Sequence, residues 1–219
     1  MRVSRILSAS FMLLILVVGV GPAKQTVMAQ STTSAATVEK DEDETNLDTQ
    51  LYLLVATNQE VDDAKLPAAL DGIIRQLRAS LPFKNYRLAA TLFNRVKNDG
   101  RLNLKWIGGP LIVSGAAATT ATPTFNEFHV NGVKLVRNEN GRLVVRMEGF
   151  SFGARIPIQS GTAIASNGPV GPIINYEPTG LNTDISMPEG QPVIVGTLNV
   201  GPSGDAIILV MSAQVSGKR

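Results

Sequence analysis

From residue 86 onward this chain alternates apolar with polar residues in one segment after another, and turn dipeptides punctuate the alternation at short intervals. Asn98-Asp99-Gly100 separates residues 86–97 from 101–106, Asn131-Gly132 separates 125–130 from 133–137, and Asn140-Gly141 precedes 142–150. Further on, Leu181, Thr183, Ile185 and Met187 alternate with Asn182, Asp184 and Ser186. Pro188-Glu189-Gly190-Gln191 then turns the chain into Val193-Ile194-Val195, and residues 201–204 turn it again into 206–215. A period of two matches the alternation of side chains across a strand, and Asn-Gly or Asp-Gly supplies the left-handed φ that tight hairpins require. The pattern constrains the chain to walk up and down an antiparallel sheet.

Ahead of that region, residues 51–56 (Leu-Tyr-Leu-Leu-Val-Ala) form a short apolar run typical of a buried strand. Leu66, Leu70, Ile73, Ile74, Leu77 and Leu81 then recur at helical spacing. Pro67 is tolerated only in a first turn, and Pro82 ends the helix after Ser80. Asp71, Arg75 and Arg78 fall on other faces, so the helix is amphipathic and belongs on a sheet with one side wet. Two stretches, 116–123 and 160–172, are rich in small residues, Gly and Pro and read as flexible rims. The expected class is α+β: one N-terminal strand and one amphipathic helix packed on a mostly antiparallel sheet or sandwich.

Arg2 and Arg5 precede an apolar run over 6–20, and Val27-Met28-Ala29 places small residues where a signal peptidase reads. Residues 1–29 are therefore expected to be a signal peptide cut after Ala29, with Ala23 as the alternative. The run falls short of the ~20 residues of a spanning helix, so no transmembrane segment is expected after cleavage. The chain holds 20 basic and 18 acidic residues, and Arg2, Arg5 and Lys24 leave with the signal, so 17 face 18 in the mature protein. That balance leaves no basic stripe for nucleic acid. The absence of cysteine excludes disulfides, thiolate metal sites and a lipidated N-terminal Cys. Residues 30–49 carry Glu39, Asp41, Glu42, Asp43, Glu44 and Asp48 among few large apolar residues and read as a disordered acidic linker. A calcium loop counted from Asp41 would need Gly where Asn46 stands. Residues 50–219 remain as a single domain, long enough to bury about 70% of its unfolded surface. With no Asn-x-Ser/Thr sequon, an exported bacterial protein, periplasmic or extracellular, is the expectation.

Chemistry has few candidates. Gly149-Phe150-Ser151-Phe152-Gly153 matches the G-x-S-x-G nucleophile elbow, but the Ala154-Arg155-Ile156-Pro157-Ile158 that follows is strand-like where the elbow needs a helix. The single histidine, His129, precedes Ser151, opposite to the hydrolase order, and alternates with Phe128 and Val130 as an outward strand residue. One histidine without cysteine builds no usual zinc site. Glu148 with Glu127 is the acidic pair to weigh, and acid–base work needs ~5 to 9.5 Å between carboxylates. Trp106, beside Gly108-Gly109-Pro110, reads as a core or rim aromatic more readily than a stacking platform. An outer-membrane barrel is not expected either, because the mature chain has ten aromatic residues and a charged end, Ser216-Gly217-Lys218-Arg219, in place of girdles. No catalytic, metal-ligating or cofactor-binding residue is assigned, and no cofactor.

Two segments carry a family resemblance. Leu81-Pro82-Phe83-Lys84-Asn85-Tyr86-Arg87-Leu88, together with Asn182-Thr183-Asp184 through Glu189-Gly190-Gln191-Pro192-Val193-Ile194-Val195-Gly196 and Asp205-Ala206-Ile207-Ile208-Leu209-Val210, resembles a family of uncharacterised exported bacterial proteins. The second segment is also similar to a hairpin of secretins, the outer-membrane channel subunits of type II and III secretion and type IV pili. The helix region departs from the repeated small domains of a full secretin, and the chain is too short to hold those domains plus a channel. The resemblance implies an envelope domain that binds a protein partner or itself through sheet edges, and it carries over no catalytic residue. The exposed edges of the 86–96 and 206–215 strands are the expected surfaces, since unpaired edges accept strands. A secreted hydrolase using Ser151, or a small-ligand module framed by the two Gly-rich loops, is the alternative.

Overall fold

The computed structural model describes residues 45–60, 66–109, 111, 122–163, 171–200 and 204–217, so the expected signal and most of the expected linker lie outside the described residues. Among the described residues eight strands run in chain order: β1 (Asn46–Thr57), β2 (Asn85–Lys97), β3 (Gly100–Gly108), β4 (Thr124–Arg137), β5 (Leu143–Ala163), β6 (Gly171–Pro188), β7 (Val193–Val200) and β8 (Asp205–Val215). A 3-10 turn (Ala68–Leu70) leads into α1 (Asp71–Ser80), the one α-helix among the described residues, between β1 and β2. The strands form two four-stranded antiparallel sheets, ordered β2-β1-β8-β7 and β3-β4-β5-β6.

This overturns the α+β expectation. Strands hold 72% of the described residues and helix 9%, so the fold is nearly all β. The helical periodicity around Ile73 and Leu77 gave one ten-residue helix, whereas the short apolar and alternating runs lengthened into strands of up to 21 residues. Continuous ladders, closed by hydrogen bonding between strands rather than by helix packing, decide the class.

The core explains the strand order. Leu51 and Leu53 on β1 and Ile207 and Leu209 on β8 meet Phe128 and Phe150 from the second sheet in one buried cluster. Tyr52, Leu54, Ile208 and Val210, on the opposite face of the same strands, cluster with Ile73 and Leu77 of α1. Strands covered on both faces lose alternation and become continuous apolar runs, which is why residues 51–56 and 206–211 read that way. The Phe128 and Phe150 rings lie tilted with centroids 5.1 Å apart at the centre of the inter-sheet layer.

Three local readings change. β1 begins at Asn46, so residues 46–49 of the expected linker are strand. Asn131-Gly132 is not a turn: β4 runs through it with Val130 and Val133 both fully buried, and the β3–β4 register shifts beside it. Burial of apolar residues on both sides outweighs the local turn preference, and the surplus residue becomes a bulge. The actual β4–β5 turn is at 138–141, where Gly141 has φ +73° and its N–H donates to the Asn138 carbonyl at 2.9 Å. The two ends of the 160–172 rim are strand, since β5 extends to Ala163 and β6 starts at Gly171, while 164–170, like 116–121 of the other rim, lie outside the described residues.

Candidate association edges

Among the described residues no strand pairs with the outer sides of β2 and β7 in the first sheet or β3 and β6 in the second. The β2 edge, one of the two surfaces expected from sequence, is therefore open. The 206–215 strand is not an edge at all: β8 lies between β1 and β7 and is hydrogen-bonded on both sides. Its uninterrupted apolar sequence over residues 206–211, all buried, is the signature of a central strand and is the signal in the sequence against an edge there. The β3, β6 and β7 edges went unrecognised because alternation marks a strand without saying which side is paired.

The prolines of β6 reveal which backbone groups face outward. Directly opposed residues of an antiparallel pair either exchange both hydrogen bonds or both face away, and proline in a strand is confined to positions whose nitrogen faces away. Pro172, Pro178 and Pro188 all have even numbers, and the odd neighbour Glu189 donates its N–H to the Leu143 carbonyl of β5 at 3.2 Å. Even-numbered β6 residues thus present their backbone to the open side. The row Ile107–Phe125–Arg155–Pro178 carries this across the sheet. Pro178 faces out, so Arg155 faces β4; Phe125 answers it, and Ile107 faces the open edge of β3. The rows of Lys105 and Asn103 follow in phase, paired through Glu127 and Gly153 to Gly180, and through His129 and Ser151 to Asn182. Pro157, on the side of β5 that extends past β4, obeys the same phase.

The outward face beside these edges is unusually apolar. Ile107 is 69% exposed and Phe125 44%, and the Phe125 ring lies 5.4 Å from that of Tyr176. Ile107 and Phe125, with Lys105, Glu127, Arg155 and Pro178, bound a shallow groove of about 660 Å³. Gly153 lines it, and a Cβ there would stand 3.0 Å from Glu127 Cγ; on Gly180, opposite Gly153, a Cβ would collide with the Phe152 carbonyl oxygen. Lys105 Nζ is 3.6 Å from Glu127 Oε2, an exposed pair of little energetic weight. On the other sheet, Arg95 of β2 donates from Nε to Asp48 Oδ1 at 2.7 Å, and Ser216 Oγ bonds Asp48 Oδ2 at 3.2 Å. The Arg95 hydrogen bond holds the Asp48 carboxyl below the usual carboxylate range against the opposing effect of burial.

The chemical candidates do not assemble. His129 and Ser151 are opposed across β4 and β5, yet the ring's Nε2 lies 2.6 Å from Asn131 Oδ1 and, among the described residues, no hydrogen bond joins it to Ser151. The glycines of the G-x-S-x-G match have structural duties: Gly149 has φ +60° at a β5 register shift, and Gly153 makes room for Glu127. Glu127 is opposite Gly153 and Glu148 opposite Gly132, about 15 Å apart along β4 at ordinary strand rise, too far for an acid–base pair. Lys134 Nζ holds Glu148 at 3.2 Å. Trp106 is half-buried, its ring 6.3 Å from Phe152. Among the described residues no three His, Cys, Asp or Glu gather as a metal site, and no helix is long and apolar enough to cross a membrane.

These features define a two-sheet antiparallel β protein with both edges of both sheets open among the described residues. No protein-family profile matches the sequence, and no curated protein matches it. Solved structures similar to it include the secretin domain β-barrel of InvG from the Salmonella SPI-1 injectisome, at 9% identity and TM-score 0.35 over 80% of this chain and 64% of that one. The type IV competence pilus secretin PilQ of V. cholerae matches at 9% identity and TM-score 0.30, over 80% of this chain and 58% of the other. The Klebsiella pneumoniae type II secretion outer membrane complex of PulD, PulS and the PulC HR domain matches at 12% identity and TM-score 0.32, over 80% and 39%. The chain spans less than two thirds of each of these. Secretin domains are what it is weakly similar to in structure.

Proposed function

We propose that this protein is an exported, non-enzymatic domain of the bacterial envelope that works by edge-to-edge association, with further copies of itself as the principal partner, in a secretion or pilus assembly. One observation carries the reading: each sheet has four antiparallel strands, and its two edge strands therefore run in opposite directions. A second copy set beside the first meets every open edge with an antiparallel strand. The β2 and β3 edges are joined by the 98–99 turn and the β6 and β7 edges by the 189–192 turn, so both sheets can extend in one step. Such a contact is heterologous, and heterologous contacts close into rings or continue as filaments. The N-terminal targeting pattern supports export.

The test is the mass in solution of the protein lacking residues 1–29, with crosslinking of the tagged, signal-bearing chain in cells followed by mass spectrometry. Concentration-dependent oligomers, and self-crosslinks that include peptides from β2, β3, β6 or β7, are the expected result. A monomer at all concentrations, with no self-crosslink in cells, overturns the proposal.

A further inference from the structure

We infer that copies of this chain join through β3 of one and β6 of the next, antiparallel, in a register that sets Lys105 opposite Asn182. The inference rests on the self-association proposed above and deepens it by naming the pair of edges and their alignment. Pro178 and Pro188 lack the N–H that an incoming strand would use, so they block strand addition at both ends of residues 179–187. The window between them has the length of β3, nine residues.

Within that window Gly180, Asn182, Asp184 and Ser186 present backbone groups outward, and on β3 the phase derived above makes Arg101, Asn103, Lys105 and Ile107 do so. Only one register engages all four on each side: Arg101 with Ser186, Asn103 with Asp184, Lys105 with Asn182, and Ile107 with Gly180. Shifting by one residue would put core-facing side chains on the solvent face. Shifting by two leaves an outward group unpaired at each end, or sets Ile107 against Pro178.

Side chains agree with this alignment. Leu102, Leu104 and Trp106, which face the inter-sheet core, come opposite Ile185, Thr183 and Leu181, which also face inward and are half-buried at their own edge. On the outer face Asp184, whose Oδ1 accepts the Gly149 N–H at 2.6 Å, falls diagonally between Arg101 and Lys105, and diagonal neighbours at 7–8 Å are within reach of long charged side chains. Ile107, 69% exposed, gains a place over Gly180, which has no side chain to obstruct it. β6 therefore offers an acidic, glycine-notched edge to the basic edge of β3.

Because the chain has no cysteine, engineered pairs report the contact directly. Lys105→Cys and Asn182→Cys are placed in separate full-length chains, mixed and oxidised. Bonding needs Cα atoms within about 7 Å, so the mixture should form a disulfide dimer about tenfold faster than the off-register mixture Asn103→Cys with Asn182→Cys. Each single variant alone should stay uncrosslinked, because a heterologous contact never brings a residue against itself. Association with the off-register pair crosslinking faster, or with a single variant dimerising alone, overturns this register while leaving self-association standing. Absence of any oligomer overturns the underlying proposal as well.

Discussion

Proline substitution on β6 tests the backbone phase on which the edge argument depends. Leu181 is opposite Phe152 and, as an odd residue, gives its N–H to that ladder, whereas the even neighbour Asn182 points its N–H to the open side. Leu181→Pro deletes one ladder hydrogen bond and leaves the carbonyl of Phe152, a residue 1% exposed, without a donor. An unmade buried bond of that kind costs about 1–3 kcal/mol. Part of the measured loss will come from the leucine side chain, so Leu181→Ala is subtracted and the remaining difference is the backbone contribution. Asn182→Pro deletes no internal bond, and its stability should move by less than about 1 kcal/mol, with the restricted unfolded chain helping. It should, however, abolish self-association, because the ring occupies the side an incoming strand must approach. Urea denaturation of the four proteins gives the stabilities, and sedimentation equilibrium gives the oligomers. If Asn182→Pro destabilises as much as Leu181→Pro relative to Leu181→Ala, the assigned phase is wrong and the register built on it falls.

Three further outcomes follow from the packing and charge. Tyr86 is 7% exposed and its hydroxyl has no hydrogen-bond partner among the described residues, so Tyr86→Phe should raise stability by about 1 kcal/mol in urea titrations; a loss of that size would show a hidden partner. Phe150→Ala removes a fully buried ring from between the sheets and should cost about 3–5 kcal/mol, measured the same way. The Asp48 carboxyl titrates below its unfolded value of about 4, so its pairing with Arg95 contributes fully above that pH and is lost as pH falls through the lower folded value. A urea midpoint followed from pH 6 to 2 should therefore fall more steeply in the parent than in Asp48→Asn, and parallel curves would remove Asp48 from the acid response.

Sequence periodicity located most strands because it records which face of a residue is buried, and burial has a period of two. It located the helix for the same reason, through Leu70, Ile73 and Leu77. What it cannot record is the lateral direction, since hydrogen-bonding side is a property of every backbone unit whatever the side chain. β2 and β8 were therefore equally plausible edges on pattern alone, although only β2 is one. Two signals do carry lateral information. A run with no polar residue, as in 206–211, marks a strand covered on both faces and so places it centrally. Proline marks the opposite case, because it alone lacks the donor: the shared parity of 172, 178 and 188 identifies β6 as an edge from the sequence alone. Asn131-Gly132 failed as a turn for a related reason, since two buried valines on either side tie both halves to one layer and local turn chemistry is worth less than their burial. Pattern reading thus resolves layers well and order within a layer poorly. In a chain whose proposed action lies at sheet edges, the order within the layer is the functional information, and the prolines are where the sequence states it.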